Sequence, residues 1–555
     1  MLKSPKGIIL PWLTLTAVLV MNMGAVGVES PAAPLPRPTG RTWLFLEPEQ
    51  FSPGELAARL EEASAQLTPR ARARRIKNLG WPPVRQCDLP PSRERIEAIE
   101  ATGCRVVRAL RYLNAIVVTG SNNEIETAGN LSFVAGSRPV MAFATEIATN
   151  EPGLPTQSHI ADLADYGESL TQNLVVNIPA VHEEGYHGEA MLIGVQDTGF
   201  ETRLHRAFRA IDLIATYDFV NGNTNVYDEE DVGSGLHGTR VLSVIAGLDS
   251  GNFIGVAPFA QFVLTKTENT ASETPVEEDL WVAGLWFHDS LGVDVLSSSL
   301  SYRDWHEYED YDGMTAVTSR AADSAFAAGI VLVNSMGNTG LAGYPESKLG
   351  APADARGVIS VGGVAADSTR WRSASQGPTY DGRIKPDVVA QSSMVYTVST
   401  ADNSTYSARS GTSFSTPIIA GVAALVVQAN SGLTSAQVQD VLRSTSSNAD
   451  SPDTLIGYGI VNALAAVILA REMSVVESQP PDEHRLFLLY PNPTNGRVLV
   501  VRFGYDDKPL TLRGIDGRVL QDGIEAGVLD LSDYPAGSYW VGSTTAGWRR
   551  LALLQ

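Results

Sequence analysis

Cysteine is scarce in this sequence, which has only Cys87 and Cys104, both near its N-terminus. Neither cysteine has a candidate base beside it, so the sequence disfavours a catalytic thiol. The two cysteines are able to pair in an exported protein, but their spacing alone does not decide whether they do.

Basic residues are also few, with 41 Lys and Arg against 62 Asp and Glu, and the formal net charge is −21. This balance disfavours nucleic acid or an anionic membrane as a partner and favours solubility. The 44% hydrophobic content is that of a globular protein with a sizeable core. At 555 residues the chain is long enough for several domains.

Long apolar runs are absent beyond the N-terminus, so we expect no later segment to span a bilayer. Near the start, Lys3 and Lys6 precede an apolar stretch from Ile8 to Met23. Small residues follow at Ala25-Val26-Gly27, which predicts a cleaved secretory signal over residues 1–27. An uncleaved membrane anchor is the alternative.

Residues 28–150 predict a modest α+β domain, in which polar helical stretches alternate with apolar strand-like runs such as Val106–Val118. The basic run from Arg70 to Lys77 is a candidate site for acidic partners, with a solvated helix face or loop as the favoured alternative.

Residues 151–471 predict a larger α/β domain. Its apolar runs alternate with helical segments, which indicates a parallel sheet flanked by helices on both faces. The predicted strands are Ala190–Val195, Gln261–Thr265, Val293–Ser298, Gly329–Asn334 and Val358–Val361, and the helices include Gly238–Ala246, Met314–Ala328 and Thr416–Ala429. Functional groups in such sheets collect at the carboxyl ends of the strands.

The C-terminal region changes character again. Residues 472–485 are polar and contain prolines, and predict a linker. Residues 486–555 carry short β-prone runs between Gly, Asn, Asp and Pro turns, and predict a small β-sandwich.

Three short stretches carry candidate chemistry. Asp197 ends a predicted apolar strand and is followed by Thr198-Gly199. His237 begins a predicted helix with the sequence His-Gly-Thr. Ser413 lies in a Gly-Thr-Ser sequence that precedes a predicted apolar helix. A serine hydroxyl needs a base to take its proton, an imidazole suits that task, and a carboxylate fixes the imidazole tautomer. Pro417 is expected in the first turn of the helix that follows Ser413.

A fourth stretch, Val331 to Asn338, is an apolar strand leading to a Gly-Asn loop. The Asn338 amide is placed to donate to a developing oxyanion. This chemistry needs no cofactor and no metal ligand.

Asp-Thr-Gly, His-Gly-Thr and Gly-Thr-Ser-x-x-x-Pro, in this order, resemble the subtilisin family of serine peptidases. The resemblance implies Asp197 as orienting acid, His237 as base, Ser413 as nucleophile and Asn338 as oxyanion donor. It therefore implies hydrolysis of proteins or peptides through an acyl-enzyme on Ser413.

The resemblance extends over most of residues 165–470. Ser299, Leu300 and Ser301 resemble the family's edge strand that binds the substrate backbone. Phe414-Ser415 and Val389-Ala390-Gln391 depart from the usual family residues, so no substrate preference is carried over.

The flanking domains also carry resemblances. Residues 92–140, with Leu113 to Val118, resemble a subtilisin propeptide, which implies an inhibitor that the enzyme itself cuts off. The last domain, with Tyr490-Pro491-Asn492-Pro493, is similar to C-terminal sorting domains of the type nine secretion system. That similarity implies outer-membrane secretion machinery as a partner, and export through the periplasm of a Gram-negative-type bacterium to the surface or medium.

Three other features have competing interpretations. His182 and His187 suggest a zinc pair, but a spacing of five residues puts them on different helix faces and Gly185 interrupts the helix. The acidic loop Asp228–Asp231 is a candidate structural calcium site, with a solvated loop as the favoured alternative. The run from Trp305 to Asp312 lines a binding subsite or forms a surface loop.

The sequence has two alternative functional interpretations. An α/β-hydrolase fails because Ser413 lacks the Gly-x-Ser-x-Gly elbow and the order of its partners differs. A catalytically inactive, surface-displayed binding protein on the same fold is the remaining alternative, although all four catalytic side chains are present.

Overall fold

The structure is a computed structural model. It describes residues 37–80, 82–142, 162–227, 236–270 and 274–473, and, towards the C-terminus, residues 486–490, 497–503, 510–514, 518–524, 527–531, 533–535, 537–543 and 547–553. The predicted signal, the acidic loop Asp228–Asp231 and nearly all of the predicted linker lie outside the described residues.

The N-terminal domain is an antiparallel sheet of four strands in the order β2-β3-β1-β4, with four helices. Its elements are β1 (Arg37–Leu46), α1 (Pro53–Ala65), α2 (Pro69–Leu79), α3 (Arg93–Glu100), β2 (Arg105–Leu110), β3 (Ala115–Thr119), α4 (Asn122–Gly129) and β4 (Val134–Ala142). A side-chain oxygen caps the start of each helix, as the sequence signals for helix N-termini require. The capping residues are Ser52, Thr68, Ser92 and Ser121. Both cysteines are free, and Cys104 is buried.

The central region is a parallel sheet of seven strands with helices on both faces, as the sequence predicts. Its elements are α5 (Leu170–Val175), α6 (Ile178–Glu183), β5 (Leu192–Asp197), β6 (Asp212–Asp218), α7 (Leu236–Ala246), β7 (Leu248–Asp249), β8 (Phe253–Ile254), β9 (Gln261–Lys266), α8 (Val276–Leu291), β10 (Val295–Ser298), α9 (Val317–Ala327), β11 (Val331–Ser335), β12 (Val358–Val364), β13 (Val388–Gln391), β14 (Val395–Val398), β15 (Tyr406–Arg409), α10 (Thr412–Ala429), α11 (Ser435–Ser444) and α12 (Ala463–Glu472).

The strand order of this sheet is β13-β12-β11-β10-β5-β9-β6. All five predicted strands belong to it, and the two edge strands β6 and β13 were not predicted. The strands bury both faces because alternate side chains enter two different cores. Ile193 and Val195 pack in the core that contains helices α7 and α10, whereas Leu192 packs with α8 and α9.

The expectation of no long apolar run beyond the N-terminus is wrong for helix α10. Its 18 residues are long and apolar enough to cross a membrane, although no such segment was expected beyond the N-terminus. Most of the helix is buried inside the central domain, so its apolarity is explained by the core.

The N-terminal domain and the central domain share one hydrophobic core. Trp43 and Val117 of the N-terminal sheet pack in the same cluster as Trp281 of α8 and Ala321 of α9. The Trp43 indole also donates a hydrogen bond to the Asp279 carboxylate on α8. The first domain therefore covers the α8–α9 face of the second.

The prediction of a solvated basic helix face is wrong for Arg74 and Arg75. Both side chains are buried and both form ion pairs with Asp289 of α8. The sequence pattern did not reveal this because the partner lies more than two hundred residues away along the chain.

The C-terminal region forms two antiparallel sheets, with orders β16-β17-β20 and β19-β18-β21-β22. The strands are β16 (Leu486–Tyr490), β17 (Arg497–Phe503), β18 (Leu510–Gly514), β19 (Val519–Ile524), β20 (Gly527–Asp530), β21 (Gly537–Ser543) and β22 (Gly547–Leu553). Strands β19 and β22 were not predicted.

Candidate active site

The carboxyl edge of the parallel sheet brings the predicted site residues together. Asp197 is the last residue of β5, and the neighbouring strand β10 is in register with it up to Gln196 and Ser298. Ser299 therefore follows at the same edge. Helices α7 and α10, which carry His237 and Ser413 near their first residues, pack against β5 and β10.

Asp197 and His237 form the acid–base half of the site. The Asp197 carboxylate is fully buried, and its Oδ1 lies 2.7 Å from His237 Nδ1 and 2.7 Å from the Thr198 backbone nitrogen. Gly238 lets the helix approach this closely, because a Cβ there would lie 2.3 Å from the Gly199 carbonyl oxygen. The hydrogen bond holds the imidazole with Nδ1 protonated and leaves Nε2 as its basic atom.

The protonation of His237 is set by two opposing effects. Burial lowers the pKa of the imidazole, but the charge and hydrogen bond of Asp197 outweigh it, so the pKa of His237 is raised. The His237 side chain is 35% exposed, so the ring stays accessible at the surface of the site.

Ser413 lies in the first turn of α10 and is 8% exposed. The ring of its neighbour Phe414 lies 6.0 Å from the His237 ring, between centroids, which places the base beside this helix end. The Ser413 hydroxyl donates to the Ser299 carbonyl at 3.5 Å. A hydroxyl proton rotates about the Cβ–Oγ bond, so this donor is free to turn to another acceptor.

The expected position of Pro417 in a first helical turn is wrong. Helix α10 begins at Thr412, four residues before the predicted start, and Pro417 lies inside it. In a helix, the Ser413 carbonyl would accept from the backbone N–H of residue 417. Because Pro417 has no N–H, this hydrogen bond is missing. The Ser299 hydroxyl donates to that carbonyl at 2.9 Å instead, so Ser299 and Ser413 hold each other through two bonds.

Asn338 follows β11 at the same edge and is exposed. Its Oδ1 accepts hydrogen bonds from the Thr412 backbone nitrogen at 2.9 Å and from the Thr412 hydroxyl at 3.1 Å. These two bonds orient the amide, so that its NH₂ group is the end left to donate. A Cβ on Gly411 would lie 3.6 Å from Asn338 Nδ2, which places this donor beside the start of α10.

The segment Ser299–Ser301 differs from the expected edge strand. The strand before it, β10, pairs with both β5 and β11 and is central in the sheet. The segment continues beyond its carboxyl end, where the Leu300 carbonyl accepts from the Asn334 amide at 3.0 Å. Sequence reasoning missed Thr412 as the residue that orients Asn338, although it lies within the quoted Gly-Thr-Ser motif.

The other candidate histidines, His182 and His306, are buried and contact polar groups of the protein. His182 is buried between the Tyr166 hydroxyl and the Val256 carbonyl, and burial lowers its pKa to about 4. Within the part of the chain that the structure describes, no group of His, Cys, Asp and Glu has the arrangement of a metal site. In the run from Trp305 to Asp312, His306 is buried and contacts Glu278 at 3.1 Å.

The chain is similar to two family models and to several known proteases. The model of the subtilase family matches residues 188–459, and that of the peptidase S8 propeptide domain of Bacteroidota matches residues 42–157. Subtilisin from Bacillus pumilus is 31% identical over 293 residues, which span 52% of this chain and 96% of that protein. Subtilisin E from Bacillus subtilis is 28% identical over 378 residues, which span 68% of this chain and 86% of that protein. A solved protease chain from Pseudoalteromonas arctica superposes with a TM-score of 0.44 at 24% identity, covering 53% of this chain and 94% of that chain.

The chain therefore belongs to the subtilase family, and it carries a propeptide domain of that family ahead of its subtilisin-like domain.

Proposed function

We propose that this protein is a secreted serine endopeptidase that hydrolyses peptide bonds of proteins through an acyl-enzyme on Ser413. The observation that carries the proposal is the 2.7 Å contact between the buried Asp197 carboxylate and His237 Nδ1, beside the helix end that holds Ser413. A buried carboxylate paired with an accessible imidazole is the arrangement that activates a serine hydroxyl.

In the proposed reaction, the Ser413 hydroxyl turns from the Ser299 carbonyl and attacks the carbonyl carbon of the substrate. His237 Nε2 takes the hydroxyl proton and then gives it to the leaving amine, which leaves the acyl group on Ser413. Water, deprotonated by the same nitrogen, releases the acid and restores the serine. The Asp197 carboxylate stabilises the imidazolium in both halves of the reaction.

The oxyanion of each tetrahedral intermediate forms beside the N-terminus of α10. The Asn338 amide donates to it from one side, and the Ser413 N–H in the first turn of α10 is proposed as the second donor. The positive end of the helix dipole adds to this stabilisation. The segment Ser299–Ser301, which begins at the same edge, is proposed to contact the substrate backbone. No step needs a cofactor.

The N-terminal domain is proposed to be an inhibitor that the enzyme itself removes. Its sheet shares a core with α8 and α9, which supports a stable docked precursor. The predicted signal over residues 1–27 and the resemblance of residues 486–555 to type nine sorting domains support export through a periplasm to the cell surface or the medium. The domain limits 28–150, 151–471 and 472–485 remain part of this proposal.

Self-processing of the purified precursor tests this function. We expect the wild-type chain to lose its N-terminal domain over time, as followed by intact mass, and to gain activity on casein. The Ser413→Ala chain should stay whole. Ser415→Ala is the matched control, because this neighbouring hydroxyl is buried and bonded to the Gly362 carbonyl at 2.8 Å, and it should process normally.

If both the wild-type and Ser413→Ala chains stay whole and inert while folded, the inactive surface-displayed binding protein becomes the better account. If Ser413→Ala is processed at the wild-type rate, another protease makes the cut.

A further inference from the structure

Asp289, in the last turn of α8, is fully buried, but the groups that hydrogen bond to its carboxylate come from the N-terminal domain. Arg74 and Arg75 of α2 and the Tyr112 hydroxyl all donate to its two oxygens. Arg75 also pairs with Asp88 at 2.9 Å. The central domain thus supplies the anion, and the N-terminal domain supplies the cations that neutralise it.

Helix α2 presents one face to the central domain. Arg70 and Arg74 are four residues apart, so they share that face. Each arginine donates to at least one backbone carbonyl at or just beyond the end of α8 or α9, where the helix dipole favours a cation. Arg70 donates to the carbonyls of Ala190 at 2.7 Å and Gly292 at 3.2 Å, and Arg74 to those of Val293 and, at 3.3 Å, Ala328.

Two glycines shape the surface for this helix. Gly292 follows α8 with φ +91°, and a Cβ there would lie 2.6 Å from the Ala71 nitrogen. Gly329 follows α9 with φ +99°, and a Cβ there would lie 2.1 Å from Asn78 Nδ2. A larger residue at Gly292 would push the α2 backbone away, and one at Gly329 would displace the Asn78 side chain, so the fit depends on the backbone of the central domain as well as on charge.

This surface lies at the amino edge of the parallel sheet, opposite the candidate active site. Asp294, which pairs with Arg70, directly precedes β10 and accepts from the Leu192 nitrogen at the start of β5. Asp197 is the last residue of that same strand. We call the surface formed by Asp289, Gly292, Val293, Asp294 and Ala328 the amino-edge surface.

We propose that the amino-edge surface is a separate anchoring site for the excised N-terminal domain, which it holds on the enzyme without occupation of the active site. The inference rests on the proposed self-processing. The anchor keeps the cut domain bound, and its release sets when free enzyme appears. Removing one partner of a buried ion pair leaves the other charge buried and unpaired, so loss of the Asp289 charge should weaken the anchor strongly.

The test uses the full chain after it has processed itself. A sulfonyl fluoride is then added to block Ser413 and to stop digestion of the fragment. Dissociation of the N-terminal fragment is followed by size-exclusion chromatography and intact mass. We expect the wild-type fragment to stay bound and the Asp289→Asn complex to release it about 10²-fold faster or more. Asp440→Asn, which removes an exposed carboxylate from α11, should release it at the wild-type rate.

Tyr112→Phe removes one hydrogen bond to the carboxylate and keeps the charges, so release about tenfold faster is expected even if Asp289→Asn does not fold. Release at the wild-type rate from the folded variants overturns the inference, and so does loss of the wild-type fragment as soon as Ser413 is blocked. A wild-type chain that never cuts itself contradicts the proposed function instead.

Discussion

Replacing Asp197 with Asn should lower the rate of self-processing about 10⁴-fold, which is the size of the loss known for serine peptidases of this kind, including subtilisin. The physical reason is the 2.7 Å contact between Asp197 Oδ1 and His237 Nδ1. An amide there neither fixes the imidazole tautomer nor neutralises the imidazolium that forms when Ser413 loses its proton.

The same substitution should change the pH dependence. The Asp197 charge raises the pKa of His237, and only the neutral imidazole can act as a base. Wild-type activity should therefore fall as the pH drops through this raised pKa, at a higher pH than for a free histidine. Without the carboxylate the pKa of His237 falls, so the acid limb of the remaining activity should move to lower pH.

Initial rates of self-processing from pH 5 to pH 9, for the wild-type chain and Asp197→Asn, check both parts. Circular dichroism should show that the variant is folded. An Asp197→Asn chain that processes within about tenfold of the wild-type rate, with the same acid limb, would contradict the assigned role.

Loss of the Asn338 donor should lower turnover about 10²–10³-fold with little change in KM, a magnitude measured in subtilisin itself. The amide serves two purposes, because Oδ1 accepts from Thr412 while the NH₂ group is left for the oxyanion. Asn338→Ala removes both functions. Asn338→Asp keeps an oxygen to accept from Thr412, removes the donor and adds a negative charge beside the oxyanion.

Steady-state kinetics on a peptide substrate with the processed enzymes separate these functions. Both variants should lose kcat if donation to the oxyanion is what matters, and Asn338→Asp should lose at least as much as Asn338→Ala because its charge repels the oxyanion. If Asn338→Asp keeps wild-type kcat and only Asn338→Ala loses it, the residue acts by holding Thr412, and the oxyanion assignment is wrong.

The parallel sheet was predictable because its strands are apolar on both faces and alternate with helices. Each predicted strand is present, with ends shifted by a few residues. The edge strand β6 escaped prediction because its residues are mostly half-buried, and Asp212 at its start is exposed. Helix α8 escaped because it buries charged residues, Glu277, Glu278 and Asp279, in its first turn.

The sequence motifs gave the residues of the candidate site, whose catalytic roles stay a prediction, but not its local structure. Asp197, His237, Ser413 and Asn338 meet at one sheet edge, as the motif order implied. The start of α10 was misplaced because proline is normally confined to a first turn. The tertiary bond from the Ser299 hydroxyl to the Ser413 carbonyl compensates for Pro417, and no local pattern contains that bond.

The buried ion pairs of Arg74 and Arg75 with Asp289 could not be predicted from the sequence either. A basic run on a helix is normally solvated, and only the docking of two domains supplies the buried carboxylate. The N-terminal domain therefore contacts the central domain at the amino edge of the sheet as well as over α8 and α9.

The central claim is that Ser413 is an activated nucleophile. The most direct test treats the processed protein with a fluorophosphonate probe, which reacts with activated serines, and maps the modified peptide by mass spectrometry. The account predicts one modification, on Ser413, and none in Ser413→Ala or in wild-type protein denatured before labelling. A folded, processed protein that stays unlabelled, or that is labelled on another serine, would contradict it.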